Sequence, residues 1–321
     1  MKRPFLALDF GGTKLAAAVA WPEERGFRRK ATALTSPLKN AEIDRELMLQ
    51  LAQKVLEGVM PAAIGVSFGG LVQANEGRVI LSHHVPGWDS FPLRRWLEEL
   101  FGVPVAVDND ANMAALGEWQ FGAGQGCQSL LYVTVSTGIG GGWVFNGQLY
   151  HGADGLAGEI GHMPIQSDGP ACTCGRHGCL EALASGPAIA RRARERLSVS
   201  SVTDSILLKL TGGDLLAITA REVALAAEAG DALALEVLQE AARALGQGIA
   251  CAIALMNPER VIIGGGVTKS GLYFLAWIRE AARKHVLPEM RVDIVQSALG
   301  DEAPLYGALI LAERLVSKPC I

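Results

Sequence analysis

At 321 residues, with half of them hydrophobic and 38 glycines, the chain is long enough for two packed domains and excludes a disordered or fibrous protein. A formal net charge of −4, with both signs interspersed, excludes a general nucleic-acid or anionic-membrane surface. Asp9 and Lys14 interrupt the N-terminal apolar run, as a signal peptide does not allow, and the charge-free run 119–153 is broken throughout by Gly, Gln and Ser; a soluble cytoplasmic protein is expected.

In chain order, Phe5-Leu6-Ala7-Leu8-Asp9 predicts a strand that runs into Gly11-Gly12-Thr13, with a second apolar run over 15–20. A helix is predicted over 43–56, a strand over 62–66, an amphipathic helix over 93–100, and a strand over 103–107 ending in Asp108-Asn109-Asp110. Leu130 to Val135 then runs into Ser136-Thr137-Gly138-Ile139-Gly140-Gly141-Gly142 and Trp143-Val144-Phe145, closed by the hairpin signal Asn146-Gly147. Strand, Gly/Thr turn, strand is thus used twice, which suggests a duplicated architecture with a cleft between halves. Further on, helices are predicted over 221–229 and 232–255, a strand over 261–263 entering Gly264-Gly265-Gly266, and an Ala-rich helix over 304–315. Strands alternating with helical patterns indicate an α/β fold.

The first turn, Asp9 to Lys14, lacks the spacing of a Walker A loop and the helix-opening glycines of a dinucleotide fingerprint. It reads either as a plain hairpin or as an amide nest for phosphate oxygens, with Asp9 holding hydrated Mg²⁺. Thr137-Gly138 and Gly264-Gly265-Gly266 would complete a three-point nucleotide cradle. Asp108-Asn109-Asp110 reads either as the N-cap of a helix over 111–119 or as a ligand site at a strand C-terminus, where donors and acceptors suit a polyhydroxylated ligand.

The stretch GEIGHMPIQSDGPACTCGRHGCLEA concentrates His162, Cys172, Cys174 and Cys179. A disulfide framework is foreign to a cytoplasmic chain of this size, Cys172-Thr173-Cys174 is not the C-x-x-C of a redox centre, and the single Glu159-x-x-His162 lacks the second helix of a di-iron site. Besides chance clustering, the set matches a closed Cys₃His zinc site, which would organise the loop and leave no open position for water. Cys127, Cys251 and Cys320 read as small hydrophobes.

Taken together, Asp9-Phe10-Gly11-Gly12-Thr13, Asn109-Asp110-Ala111-Asn112, Glu159-Ile160-Gly161-His162 and Cys172-Thr173-Cys174-Gly175-Arg176-His177-Gly178-Cys179-Leu180-Glu181 resemble the motifs of the ROK family of repressors and sugar kinases, in order and spacing. The resemblance implies the actin-like ATPase (ribonuclease H-like) fold, with two α/β domains around a central cleft. It places a smaller domain at 1–112, joined by the C-terminal helix 303–317, and a larger one with the zinc loop at 113–302. It implies ATP-dependent phosphorylation of the 6-hydroxyl of a hexose such as glucose, in a homo-oligomer (dimer or tetramer). Asp110 would be the catalytic base, and Gly69, Asn109, Asp110, Glu159, His162 and Glu181 would contact sugar. Asp9, Gly11, Gly12, Thr13, Lys14, Thr137, Gly138, Gly264, Gly265 and Gly266 would hold ATP with Mg²⁺, and His162, Cys172, Cys174 and Cys179 a structural Zn²⁺. Where many glucokinases of the family carry Pro in the sugar loop, this chain has Ser67-Phe68-Gly69-Gly70, and Ser82-His83-His84-Val85-Pro86-Gly87-Trp88 is not diagnostic of one sugar. An N-acetylmannosamine, N-acetylglucosamine or fructose kinase is therefore the rival expectation, followed by a silent sugar sensor. The family's repressors carry a winged helix-turn-helix ahead of the phosphate motif; with Asp9 at the start, DNA binding is not expected.

Overall fold

The computed structural model describes residues 3–24, 26–36, 40–82, 85–199 and 204–317; His83, His84 and Cys320 lie outside them. The chain opens with strands β1 (Phe5–Phe10), β2 (Lys14–Ala20) and β3 (Arg29–Leu34), then helix α1 (Ala41–Leu56) and β4 (Ala63–Phe68). A small hairpin, β5 (Leu71–Gln73) and β6 (Arg78–Leu81), precedes α2 (Leu93–Phe101), β7 (Val105–Asn109) and α3 (Asp110–Phe121). Next come β8 (Ser129–Val135), β9 (Ile139–Phe145) and β10 (Gln148–Leu149), then helices α4 (Leu180–Ala184), α5 (Gly186–Val199), α6 (Ile206–Leu210), α7 (Ala220–Glu228) and α8 (Ala232–Met256). The chain ends with β11 (Arg260–Gly264), α9 (Leu272–His285), β12 (Ile294–Gln296) and α10 (Ala303–Val316).

Two five-stranded sheets result, ordered β3-β2-β1-β4-β7 and β10-β9-β8-β11-β12. In each, the first strand of the set lies centrally, an antiparallel ribbon extends on one side and parallel strands extend on the other: β4 and β7 beside β1, β11 and β12 beside β8. The duplication suggested by the two Gly/Thr turns is thus present in the strand order itself. Residues 1–126, 142–157 and 301–321 form one compact unit, and 127–141 with 158–300 form the other.

In the first unit, period-two alternation puts Leu6, Leu8 and Phe10 of β1 into a core with α1 and α2, while Phe5 and Ala7 meet Leu305, Ala308 and Leu309 of α10 on the opposite face. Both faces of these strands are covered, so they read as unbroken apolar runs. Met113 and Leu116 join α3 to Ile310 of α10. In the second unit, α7 starts with a capping box between Thr219 and Glu222, and Asp231 caps the long helix α8. Strand β3 and helix α9 were not expected from the sequence. On β3 the exposed edge leaves only Ala31 buried, so its pattern carries little signal.

Candidate functional site

The C-terminal ends of the first sheet collect its chemistry. Asp9 pairs in register with Ser67, and Ser67 with Asp108, across β1, β4 and β7. The Ser67 hydroxyl donates to Asp9 Oδ1 at 2.7 Å. Burial pushes the Asp9 carboxyl up to about 6, against the lowering effects of that hydrogen bond and of Lys14. The turn after Asp9 closes through Gly11 N–H to the Lys14 carbonyl at 3.1 Å, with Thr13 exposed and Gly11, Gly12 and Lys14 half-buried. Asn109 is the N-cap of α3: its Oδ1 accepts the Ala111 N–H at 2.9 Å, while its Nδ2 donates to the Gly70 carbonyl at 2.9 Å. Of the two readings of this residue, capping is the one its hydrogen bonds bear out, and the same side chain ties the helix to the β4 turn. Asp110 occupies the first helical position, its Oδ1 accepting the Ala111 N–H at 2.8 Å. Gly69 donates its N–H to Phe10 O at 2.8 Å, and a β-carbon there would lie 3.5 Å from Asp110 Oδ2. Asp9, Gly69, Asn109 and Asp110 thus belong to adjoining strand ends of one unit.

Trp88 seals the neighbouring segment. Its ring lies edge-on to Phe10 and Phe68, 5.4 and 5.0 Å between centroids. That contact anchors the chain following the β5–β6 hairpin against the ends of β1 and β4.

In the second unit the turn after β8 closes through Ser136 N–H to Gly138 O at 2.9 Å, with Thr137 exposed at its tip. The turn after β11 requires glycine at Gly265, whose φ is 92° and whose β-carbon would sit 2.4 Å from Val135 O. Close passage of this backbone over the end of β8 brings Gly266 and Thr137 to the wall of one cavity of about 760 Å³. Pro187, Ala190, Ala224 and Leu225 give it an apolar wall, and Arg194 and Lys269 stand among its charged lining residues. Its size and mixed lining suit a nucleoside with its phosphates. The lining from α5 and α7 is invisible in the sequence, where Ala and Leu at helical spacing read as core.

The cysteine loop belongs to the same unit. Cys172 N–H donates to Arg176 O at 2.7 Å, and Gly175 N–H to Cys172 O at 3.0 Å, which folds Cys172 and Cys174 into one tight turn. Gly178, at φ 66°, returns the chain to Cys179; a β-carbon there would lie 1.5 Å from Gln166 O. The one-turn 3₁₀ helix Ile160–His162 delivers the imidazole. Sγ of Cys174 and Cys179 are 3.7 Å apart, as are Sγ of Cys172 and Nδ1 of His162, and all four ligand atoms lie within 4.8 Å of one another. Bonds of about 2.3 Å to a tetrahedral centre require edges of about 3.8 Å, so the residues fit a Cys₃His metal site. The Arg176 backbone hydrogen bond, aided by its guanidinium, draws the Cys174 thiol down to about 6, whereas burial pushes Cys179 up to about 12.

Glu181, two residues beyond Cys179, accepts the Ile139 N–H at 2.9 Å and the Thr173 hydroxyl at 3.5 Å. It therefore joins the cysteine loop to the turn after β8, a link the sequence does not display. Glu159 is exposed at the start of the 3₁₀ turn, its carbonyl accepting the His162 N–H at 3.1 Å. Cys251, read from the sequence as a small hydrophobe, is exposed on α8, and Cys127 is half-buried.

A doubled sheet of this strand order, with Gly/Thr turns after its first strands, defines the actin-like ATPase class of fold. The profile of the ROK family matches residues 5–315, and the chain belongs to that family. It is 41% identical to a glucokinase of Halalkalibacterium halodurans over 76% of this chain and 74% of the relative. A glucokinase of Thermotoga maritima is 34% identical over 98% and 99%. An N-acetylmannosamine kinase of Citrobacter koseri is also 34% identical, over 96% and 98%. Among solved structures, the ROK family glucokinase of Streptomyces griseus in complex with glucose and AMPPNP superposes with a TM-score of 0.85, at 35% identity, covering 97% of this chain and 99% of that one.

Proposed function

We propose that the protein is an ATP-dependent glucokinase that transfers the γ-phosphoryl group of ATP to the 6-hydroxyl of glucose. The observation that carries the reading is Asp110, a carboxylate on the first turn of α3 beside the Asn109 cap and Gly69. Phosphoryl transfer asks little covalent chemistry of a protein; it asks for positioning and for neutralisation of charge. Asp110 takes the proton from the attacking hydroxyl, which contributes about 10²–10⁴-fold. Gly69, Asn109, Glu159, His162 and Glu181 hold the remaining hydroxyls, each hydrogen bond worth roughly 0.5–1.5 kcal/mol. The residues proposed for the nucleotide are Gly11, Gly12, Thr13 and Lys14, and Thr137, Gly138 and Gly264 to Gly266, whose backbone N–H groups and hydroxyls suit phosphate oxygens.

Asp9 is the residue suited to Mg²⁺, since a carboxylate pushed up by burial gains from a nearby cation. The metal, when bound, supplies charge neutralisation on the phosphates. His162, Cys172, Cys174 and Cys179 would hold Zn²⁺, whose part is to shape the loop carrying Glu181. Cytoplasmic placement and homo-oligomeric assembly belong to the same proposal. A metal-type thiol cluster supports the reducing compartment, and no described helix is long and apolar enough to cross a membrane.

The test is ADP release across glucose, fructose, N-acetylmannosamine and N-acetylglucosamine. Glucose is expected to show the highest kcat/KM. A higher value on either acetylated sugar moves the assignment to the N-acetylmannosamine kinase side of the family, and no ADP release on any sugar overturns the kinase reading.

A further inference from the structure

Asp108 is 3% exposed and has no part in the reading above. Its Oδ1 accepts the Asn109 backbone N–H at 2.8 Å and an N–H of the Asn112 side chain at 2.9 Å. Its Oδ2 lies 2.7 Å from Nε2 of His151, delivered by the segment that follows β10. A buried carboxylate with one cationic partner is costly to keep in place of an apolar side chain, so its retention asks what it holds. What it holds is the turn beside it. The Asn109 N–H it fixes belongs to the residue whose side chain caps α3 and reaches Gly70, and Asp110 follows at once.

Asp110 lies on α3, Asp9 lies across β4 with Lys14 acting on it, and Asp154 lies in the same segment as His151. The Asp108 hydrogen bond and charge hold the His151 imidazole above its ordinary value, against its own partial burial.

We propose that His151 is a positioning residue for the Asn109–Asp110 turn: paired with Asp108, it cancels a buried negative charge two residues from Asp110 and locks the carboxylate that fixes the Asn109 backbone. The consequence for catalysis rests on the reading of Asp110 as proton acceptor; the consequence for Asp110 as an acid does not. A simple staple of the segment is the competing account, since the Ala157 N–H also returns to the His151 carbonyl at 3.0 Å. The two accounts differ in what they do to Asp110.

His151→Gln keeps an N–H toward Asp108 without the charge. Adding Asp108→Asn replaces the ion pair by an amide pair of the same shape. The Asp110 carboxyl titration is followed by ¹³C NMR in the folded protein, with its signal assigned by comparison with Asp110→Asn, and kcat and KM are measured from about pH 5.5 to 9. In His151→Gln the Asp110 titration and the acidic limb of kcat are expected to move up together, by up to about one pH unit, with kcat on that limb falling up to about tenfold and KM for sugar and ATP within about twofold. The double variant is expected to return both to within a few tenths of the parent. An unmoved Asp110 titration in His151→Gln, even with a lowered thermal midpoint, overturns the proposal and leaves the staple. A double variant that titrates like His151→Gln overturns it as well. If the NMR titration moves while Asp110→Asn retains the parent rate, the proposal stands and the base assignment is what fails.

Discussion

The two sheets share one strand order and differ in what they place at the ends of their strands. In the first, Asp9 is the last residue but one of β1, Gly69 follows β4, and Asn109 ends β7 with Asp110 next, so carboxylates and an amide crowd the strand termini. In the second, β8 runs into the turn carrying Thr137 and Gly138, and β11 ends at Gly264 and runs into Gly265 and Gly266, where hydroxyls and bare backbone replace charge. A common backbone therefore carries unlike chemistry. One set of ends suits proton acceptance and a cation, and the other suits phosphate oxygens approached by N–H groups. The second unit adds the cysteine loop, which the first has no counterpart for among the described residues.

The sharpest way to break the comparison is to remove charge from the first set of ends. Asp110→Asn keeps the N-terminal turn of α3, because an amide oxygen can still accept the Ala111 N–H, but it ends proton acceptance. We expect kcat to fall by about 10²–10⁴-fold with sugar affinity within about threefold, as read by steady-state kinetics and calorimetry. An unchanged kcat with a raised KM would make Asp110 a binding residue only.

Removing one thiolate tests whether the loop of the second unit is an addition to the site or part of it. Cys174→Ser should leave the purified protein with less than about half an equivalent of zinc by elemental analysis. Because Glu181 bridges Thr173 and the Ile139 N–H, sugar affinity should fall by about tenfold or more and ATP affinity by a smaller factor, about threefold. Full zinc in the variant, or unchanged affinity for both ligands, would separate the loop from the site.

Gly265→Ala tests the charge-free ends alone. A left-handed φ of 92° and a β-carbon 2.4 Å from Val135 O force the turn to move. Strain of about 1–3 kcal/mol should raise the KM for ATP by about tenfold and leave glucose affinity in place. Equal loss for both substrates would mean that the unit has been disturbed as a whole.

The smallest effect concerns stability. Asp9 is raised by burial from 3.8 to about 6. A carboxyl raised in the folded state binds its proton more tightly there, so its stabilising contribution is complete below pH 3.8 and is lost as pH rises through about 6. At pH 7.5 the ionised group weighs against folding. Asp9→Asn should then raise stability at that pH by about 1–2 kcal/mol, less than the full shift because the side chain is only part-buried, and the gain should vanish toward pH 4. Denaturant melts at both pH values measure it; a gain independent of pH would remove the titration from the account.

Sequence by itself determined the class of fold and where along the chain the candidate site residues lie. Apolar runs ending in Asp9 or Asp108 were legible because strand interiors covered on both faces must be apolar, which makes the first polar residue a marker of the strand end. The cysteine and histidine cluster was legible because its ligands are close along the chain. Tertiary structure alone decided what depends on distant segments. His151 reaches Asp108 from 43 residues away, Glu181 reaches the Ile139 N–H from 42, and the wall of the large cavity comes from faces of α5 and α7 that look like core. No local periodicity encodes such pairs, because a hydrogen bond between remote segments is set by register and packing, and spacing along the chain constrains neither.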